Sequence, residues 1–315
     1  MKESRKAKAQ ELKNRLEEVN ALKANEEFII DTINGEDVAK VIIDKDENTG
    51  KENIVSIKLA KLDSVASESD WNKTVFAVTE IIKTGRKVVQ EACEVIKRFN
   101  SYAATKDIII IRPLHICDEF NRKYEESPFI YKAISDIALV VYAIVSDKDG
   151  VLNTVKLPAE LADKWEKGNG ISKDDIFEQA MKNTEERYKA ALYTNIFDIE
   201  NTPILDCMLM ENGYRVTELT DNTVALITTM KKTNGAIAMW YSGVKEKISE
   251  LYGGSSFYAA FISIHEAMIH KAGTISVDSI RRNVTETNRI FGPHDTLSDK
   301  VWYYNAEDGS FTAVE

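Results

Sequence analysis

The sequence predicts an α+β fold: antiparallel β-hairpins with interspersed packing helices, opened by an N-terminal amphipathic helix. Three observations carry that prediction. Stretches of β-forming residues close on strong turn signals at Asp147-Lys-Asp-Gly150 and Asn234-Gly235. Residues 3–25 and 72–99 instead repeat apolar side chains at helical spacing. Strands and helices also fail to alternate in the regular βαβ order that a parallel sheet requires.

Residues 3–25 read as one helix, in which Leu12, Leu16, Val19 and Leu22 share a stripe. That stripe is the candidate surface for a protein partner or for self-association, the other reading being a helix docked on its own domain. Lysines and arginines crowd the first half of the polar face, but Glu11, Glu17 and Glu18 dilute it, which disfavours nucleic acid or membrane. Phe28–Ile33, Val38–Ile43 and Ile54–Leu59 follow as strands. The acidic connection Asp44–Glu52 lacks the glycine and glutamate of a calcium loop, having Thr49 and Val55 at those positions, and so reads as a polar hairpin.

A long helix over 72–99 places Val75, Val78, Ile82, Val89, Cys93 and Ile96 on its apolar side. The polar stretch Ser101–Lys106 then divides residues 1–105 from a second region, 106–315. That region starts with a short strand, Asp107–Ile111, ended by Arg112-Pro113. A long strand over Lys132–Ser146 turns back through Val151–Leu157. Helices follow at Pro158–Lys167 and Ser172–Leu192, the second capped by Ser172. Thr223–Met230 and Ala236–Tyr241 read as a hairpin, and Ser242–Tyr252 as a helix stopped by Gly253-Gly254. Ser256–Ser263 reads as a strand, His265–His270 and Val277–Ile290 as helices, and Val301–Tyr304 as a last strand.

Composition narrows the function classes. Fifty-one acids against 41 bases leave a net charge of -10, which excludes a generally basic nucleic-acid binder but not a local basic patch such as Arg281-Arg282. The longest apolar run, Ile137–Val145, is too short to span a bilayer, and no secretory leader is evident. Cys93, Cys117 and Cys207 are odd in number and widely spaced, as expected of a reduced cytoplasmic protein. Phosphate-loop, dinucleotide-binding and nucleophile-elbow motifs are absent, and no cofactor is expected.

The remaining candidates for chemistry are Asp136, His265 and Glu266. Ser263-Ile-His265-Glu266-Ala-Met-Ile-His270 is close to the zincin helix, yet its histidines are five apart, roughly 140° around a helix, and cannot share one metal. His265 therefore reads first as a structural, hydrogen-bonded residue. Asp136 opens an apolar strand, where a carboxylate needs a partner such as Arg112, or a cleft. His294 is the third histidine of this late group.

The order of several segments carries a resemblance: Asp136-Ile-Ala-Leu-Val-Val-Tyr142, Ala180-Met-Lys-Asn183-Thr184, Asn234-Gly-Ala236, Ile264-His265-Glu266 and Leu297-Ser-Asp299-Lys-Val-Trp-Tyr303. Over about residues 105–305 the chain resembles a domain-of-unknown-function family of anaerobic Gram-positive bacteria and their mobile elements. Phe261-Ile262 stand where members of that family usually have Pro-Ser. The resemblance implies a neighbourhood and no activity. The expectation is a non-enzymatic protein that binds a macromolecular partner, accessory to a mobile element or phage-related process. The alternative is a metal-assisted hydrolase or nuclease using Asp136, His265 and Glu266.

Overall fold

A computed structural model describes residues 3–33, 36–45, 52–148, 151–193, 219–291 and 295–314. The chain forms two compact units, residues 1–96 and 97–315. The fold is α+β, and every strand pairing among the described residues is antiparallel.

The first unit holds α1 (Glu3–Glu18), a meander of β1 (Glu27–Ile33), β2 (Glu36–Lys45) and β3 (Glu52–Lys58), and the long α2 (Glu68–Arg98). The first helix ends seven residues sooner than its periodicity predicts. Asn20 takes a left-handed φ of 53°, and the Ala21 amide donates back to the Leu16 carbonyl at 2.8 Å, which is a helix-terminating geometry. Ala9, Leu12 and Leu16 are fully buried in a core with Val41, Leu59, Leu62, Val78 and Ile82. On α2 the first half buries the predicted face, but the second half buries Val95 and leaves Cys93 and Ile96 exposed. Gly85 faces β3 so closely that a methyl group there would lie 2.3 Å from Val55 Cγ2.

The second unit begins with the single turn α3 (Tyr102–Thr105). A four-stranded sheet follows, of β4 (Ile109–His115), β5 (Tyr131–Ile134), β6 (Ile137–Lys148) and β7 (Val151–Lys156), with α4 (Asp118–Glu126) between β4 and β5. Central β6 pairs with β4 on one side; β5 and β7 follow each other along its other side. The single long strand expected over 132–146 is thus two strands, because Ser135, with φ 55°, turns the chain. The first strand runs on through Arg112-Pro113 to His115, since Pro113 stands on the sheet edge where no amide is needed.

Helices α5 (Glu160–Asn169) and α6 (Lys173–Arg187) lead into a six-stranded sheet. Its order is β13 (Phe311–Val314), β12 (Val301–Tyr304), β10 (Phe257–Ser263), β11 (Glu266–Lys271), β9 (Ala225–Thr229) and β8 (Ala190–Tyr193). α7 (Val244–Leu251) lies between β9 and β10, and α8 (Val277–Phe291) packs Ile280 and Val284 against Ala260 and Val301.

Three expectations are corrected in this sheet. Residues 190–193 leave the predicted helix and pair as a strand with β9. The segment His265–His270 is a turn and strand rather than a helix, its side chains alternating between faces in pairing with β10. The Asn234-Gly235 hairpin does not form; Gly235–Trp240 is a 3₁₀ helix and β9 pairs with β8 and β11 instead. Gly235 is required there by close approach. An added methyl would lie 2.1 Å from Thr228 Oγ1, 2.3 Å from the His265 carbonyl and 2.6 Å from the Thr229 amide nitrogen.

Candidate functional site

The residues picked from sequence occupy four different settings. In the stripe of the first helix, Leu12 and Leu16 are wholly buried in the first unit's own core and Leu22 packs against it, while Val19, past the helix end, is 55% exposed. The stripe is therefore not a free surface. Its cations are also engaged within that unit. Arg5 meets Asp63, Arg15 meets Glu11 and Glu68, and Lys8 donates to the carbonyls of Leu62, Asp63 and Val65. Paired carboxylates raise the guanidinium pKa of both Arg5 and Arg15.

Asp136 lies in the β5–β6 turn, not within a strand, and its partner is not Arg112. Its Oδ2 accepts from Ser298 Oγ at 2.8 Å and from the Asp299 amide at 3.3 Å; Oδ1 is buried with no partner among the described residues. The Ser298 hydroxyl also accepts the Lys300 amide and Trp302 Nε1. Asp136 thus ties the 298–302 segment to the smaller sheet.

His265 sits in the two-residue turn joining β10 to β11. Its Nδ1 accepts the Asn234 amide at 3.0 Å, and Asn234 Oδ1 in turn accepts Arg112 Nε at 3.2 Å. Arg112 reaches Thr154 Oγ1 at 2.8 Å and lies over the Tyr142 ring at 5.0 Å. Thr228 Oγ1 donates to the His265 carbonyl, so the turn is held from both sides. Burial pushes His265 below the usual imidazole range; Asp295 opposes that shift and Arg112 adds to it. An imidazole whose Nδ1 accepts and which stays neutral carries its proton on Nε2. It can donate a hydrogen bond but has no free lone pair to act as a base. Next to it, Glu266 is half-buried, with its carboxyl pKa raised by desolvation. Among the described residues no three His, Cys, Asp or Glu side chains are placed to hold a metal ion. His294 and Cys207 lie outside the described residues.

A cleft of about 160 Å³ opens beside this network, lined by the polar or ionisable His115, Cys117, Glu119, Lys123, Tyr142, Lys156 and Thr296 and by the apolar Leu114, Phe120 and Ile264. Pairing of Tyr142 with Lys156 places both on one face of the four-stranded sheet, and α4 covers that face with Phe120. Lys123 on α4 is paired with Glu119 at 2.6 Å. Among the described residues the Lys156 ammonium has no carboxylate within ion-pair distance, and it lies 3.8 Å from the centroid of the Phe129 ring. Desolvation first, and then the charge of Lys123, push its pKa down to about 8, with Glu119 opposing. The ring face favours the ammonium by ~1 kcal/mol, less than one pKa unit, so it reduces the shift without reversing it. Burial also pushes the Tyr142 phenol up to about 12, so it remains a neutral donor.

Lys156 was not singled out in the sequence, though a signal exists. Leu152, Thr154 and Lys156 alternate along β7 onto the inward face, and a lysine on such a face lacks the solvent that surface lysines enjoy. Other shared segments prove structural. Asn183 Nδ2 donates to the Lys106 and Ile109 carbonyls, and Thr184 Oγ1 accepts the Ile111 amide, pinning α6 to β4.

Fold and site together define an α+β protein whose second unit keeps in a small cleft a lysine with no ion pair among the described residues. Residues 5–306 match a family of unknown function, DUF5688, and the chain belongs to that family. The match starts at residue 5 and so takes in the first unit, which the sequence resemblance left out. No curated protein and no solved structure matches the chain.

Proposed function

We propose that this is a non-catalytic binding protein whose cleft at Lys156 receives a carboxylate carried by a protein partner. The carrying observation is the half-buried Lys156 ammonium, which forms no ion pair among the described residues and lines an open cleft. A buried cation without a counter-charge costs stability, and an incoming carboxylate repays that cost. Size supports a macromolecular partner. Small-molecule sites run from ~300 Å³ upward, whereas about 160 Å³ accommodates one side chain or chain end. The hydrolase alternative draws no comparable support, because Asp136 is committed to Ser298 and Asp299 and His265 has no lone pair to spare. Unpaired thiols at Cys93 and Cys117 suit work in a reducing cytoplasm.

The test is titration of the full chain with a fluorescent glutamate-rich peptide. Binding is expected at pH 7 and is expected to weaken at least tenfold in Lys156→Met. Affinity should fall as pH rises through about 8, where Lys156 loses its charge. Equal affinity for the peptide and for a lysine-rich control, or no effect of Lys156→Met, would overturn the proposal.

A further inference from the structure

We infer that the Lys156 amine is also a nucleophile, and that the cleft takes a small aldehyde or ketone as an imine on Nζ. This uses the same opening as the carboxylate site and rests on that reading for access alone. Three features support it independently of anion binding. Lysines become nucleophilic when desolvated or set beside another cation, and Lys156 meets both conditions through its half-buried place on the sheet and the neighbouring Lys123. Its amine faces an aromatic ring and forms no ion pair among the described residues, which leaves its lone pair accessible once the proton is lost. The titratable groups around it are His115, Cys117, Glu119, Lys123 and Tyr142; Glu119 is paired with Lys123, and its charge offsets part of the effect that Lys123 has on Lys156.

The step balances without an oxidant or reductant. The Nζ lone pair attacks the carbonyl carbon, the carbonyl oxygen gains a proton as the amine loses one, and a carbinolamine forms. A second proton taken up on that oxygen lets it leave as water. The nitrogen keeps its last hydrogen, so loss of water leaves the protonated imine, which can release that proton to solvent. With its pKa near 8, about one tenth of the Lys156 amine is neutral at pH 7, against well under a thousandth for an ordinary lysine.

The experiment treats the full chain with propanal and cyanoborohydride at pH 7 and maps propyl-lysine by peptide mass spectrometry. Propanal is uncharged, so labelling does not depend on anion binding. Lys156 should be labelled at least tenfold faster than exposed Lys61 and Lys83, and its rate should level off above about pH 8 while theirs still climbs. Lys123→Met should slow labelling at Lys156 by removing the neighbouring charge. Lys156→Arg, with unchanged circular dichroism, should abolish the fast site. Labelling of Lys156 no faster than of Lys61 and Lys83 would overturn the inference. Fast labelling that the glutamate-rich peptide does not block would retain it while overturning the carboxylate site.

Discussion

The first helix and the cleft are both rich in cations, and they treat them in opposite ways. On α1 the charges of Arg5, Lys8 and Arg15 are all met by carboxylates or carbonyls of the same unit, and the apolar stripe beneath them lies in the core. In the cleft Lys156 is likewise half-buried, yet it has no counter-ion among the described residues. A satisfied charge explains itself as architecture. A charge that is half-buried and unsatisfied lowers stability, and proteins keep such groups where a ligand is to supply the missing contact.

Leu12→Ala should cause the largest change, a loss of about 2–5 kcal/mol through the cavity it leaves. Peptide affinity per folded molecule should stay at the wild-type value; a matching loss of affinity would restore the helix as a binding element. Gly235→Ala comes next. Its methyl meets backbone atoms that cannot swing aside, and a cost of about 3 kcal/mol is expected in urea melts. Gly85→Ala meets only side chains of Val55 and Ile43, so its cost should be smaller, and the reverse order would show that the His265 turn yields more easily than its packing implies.

Lys156→Met should act in the opposite direction. A lysine whose pKa is lower in the folded chain binds fewer protons there than when unfolded. It therefore opposes folding at pH 7, and that penalty fades as pH rises from about 8 towards 10.5. The variant should gain ~1 kcal/mol at pH 7, allowing for partial solvent screening, and less at pH 10. Loss of stability instead would mean that Lys156 is structural. The smallest effect belongs to Arg15→Gln, whose exposed ion pairs should leave the melting midpoint little changed and the peptide affinity untouched.

Much of this fold can be read from the sequence where one period dominates. The β6–β7 hairpin, α8 and the strand at Val301–Tyr304 all appear as expected. The errors share a physical cause: local pattern was overruled by pairing partners far along the chain. Ala190–Tyr193 continues a helical pattern but is drawn into a strand by Leu226–Thr229. His265–His270 resembles a helix until β10 supplies a neighbour. For the candidate site, His265 was rightly read as hydrogen-bonded, but its partner Asn234 lies 31 residues away and had been assigned to a turn. The burial of Lys156 is harder to read because it depends on α4, a short, largely polar helix without a long apolar period of its own.

The pinning of α6 to β4 has a consequence for how partners can meet this protein. The outward groups of an edge strand normally offer a template to any extended peptide. On β4 the Ile109 carbonyl is taken by Asn183, the Ile111 amide by Thr184 and the His115 carbonyl by the Cys117 amide, and Pro113 has no amide to give. Those positions are closed to the main chain of an added strand, in a partner or in a second copy. At those positions of β4 a partner would have to be gripped by side chains, with main chain left out of the exchange.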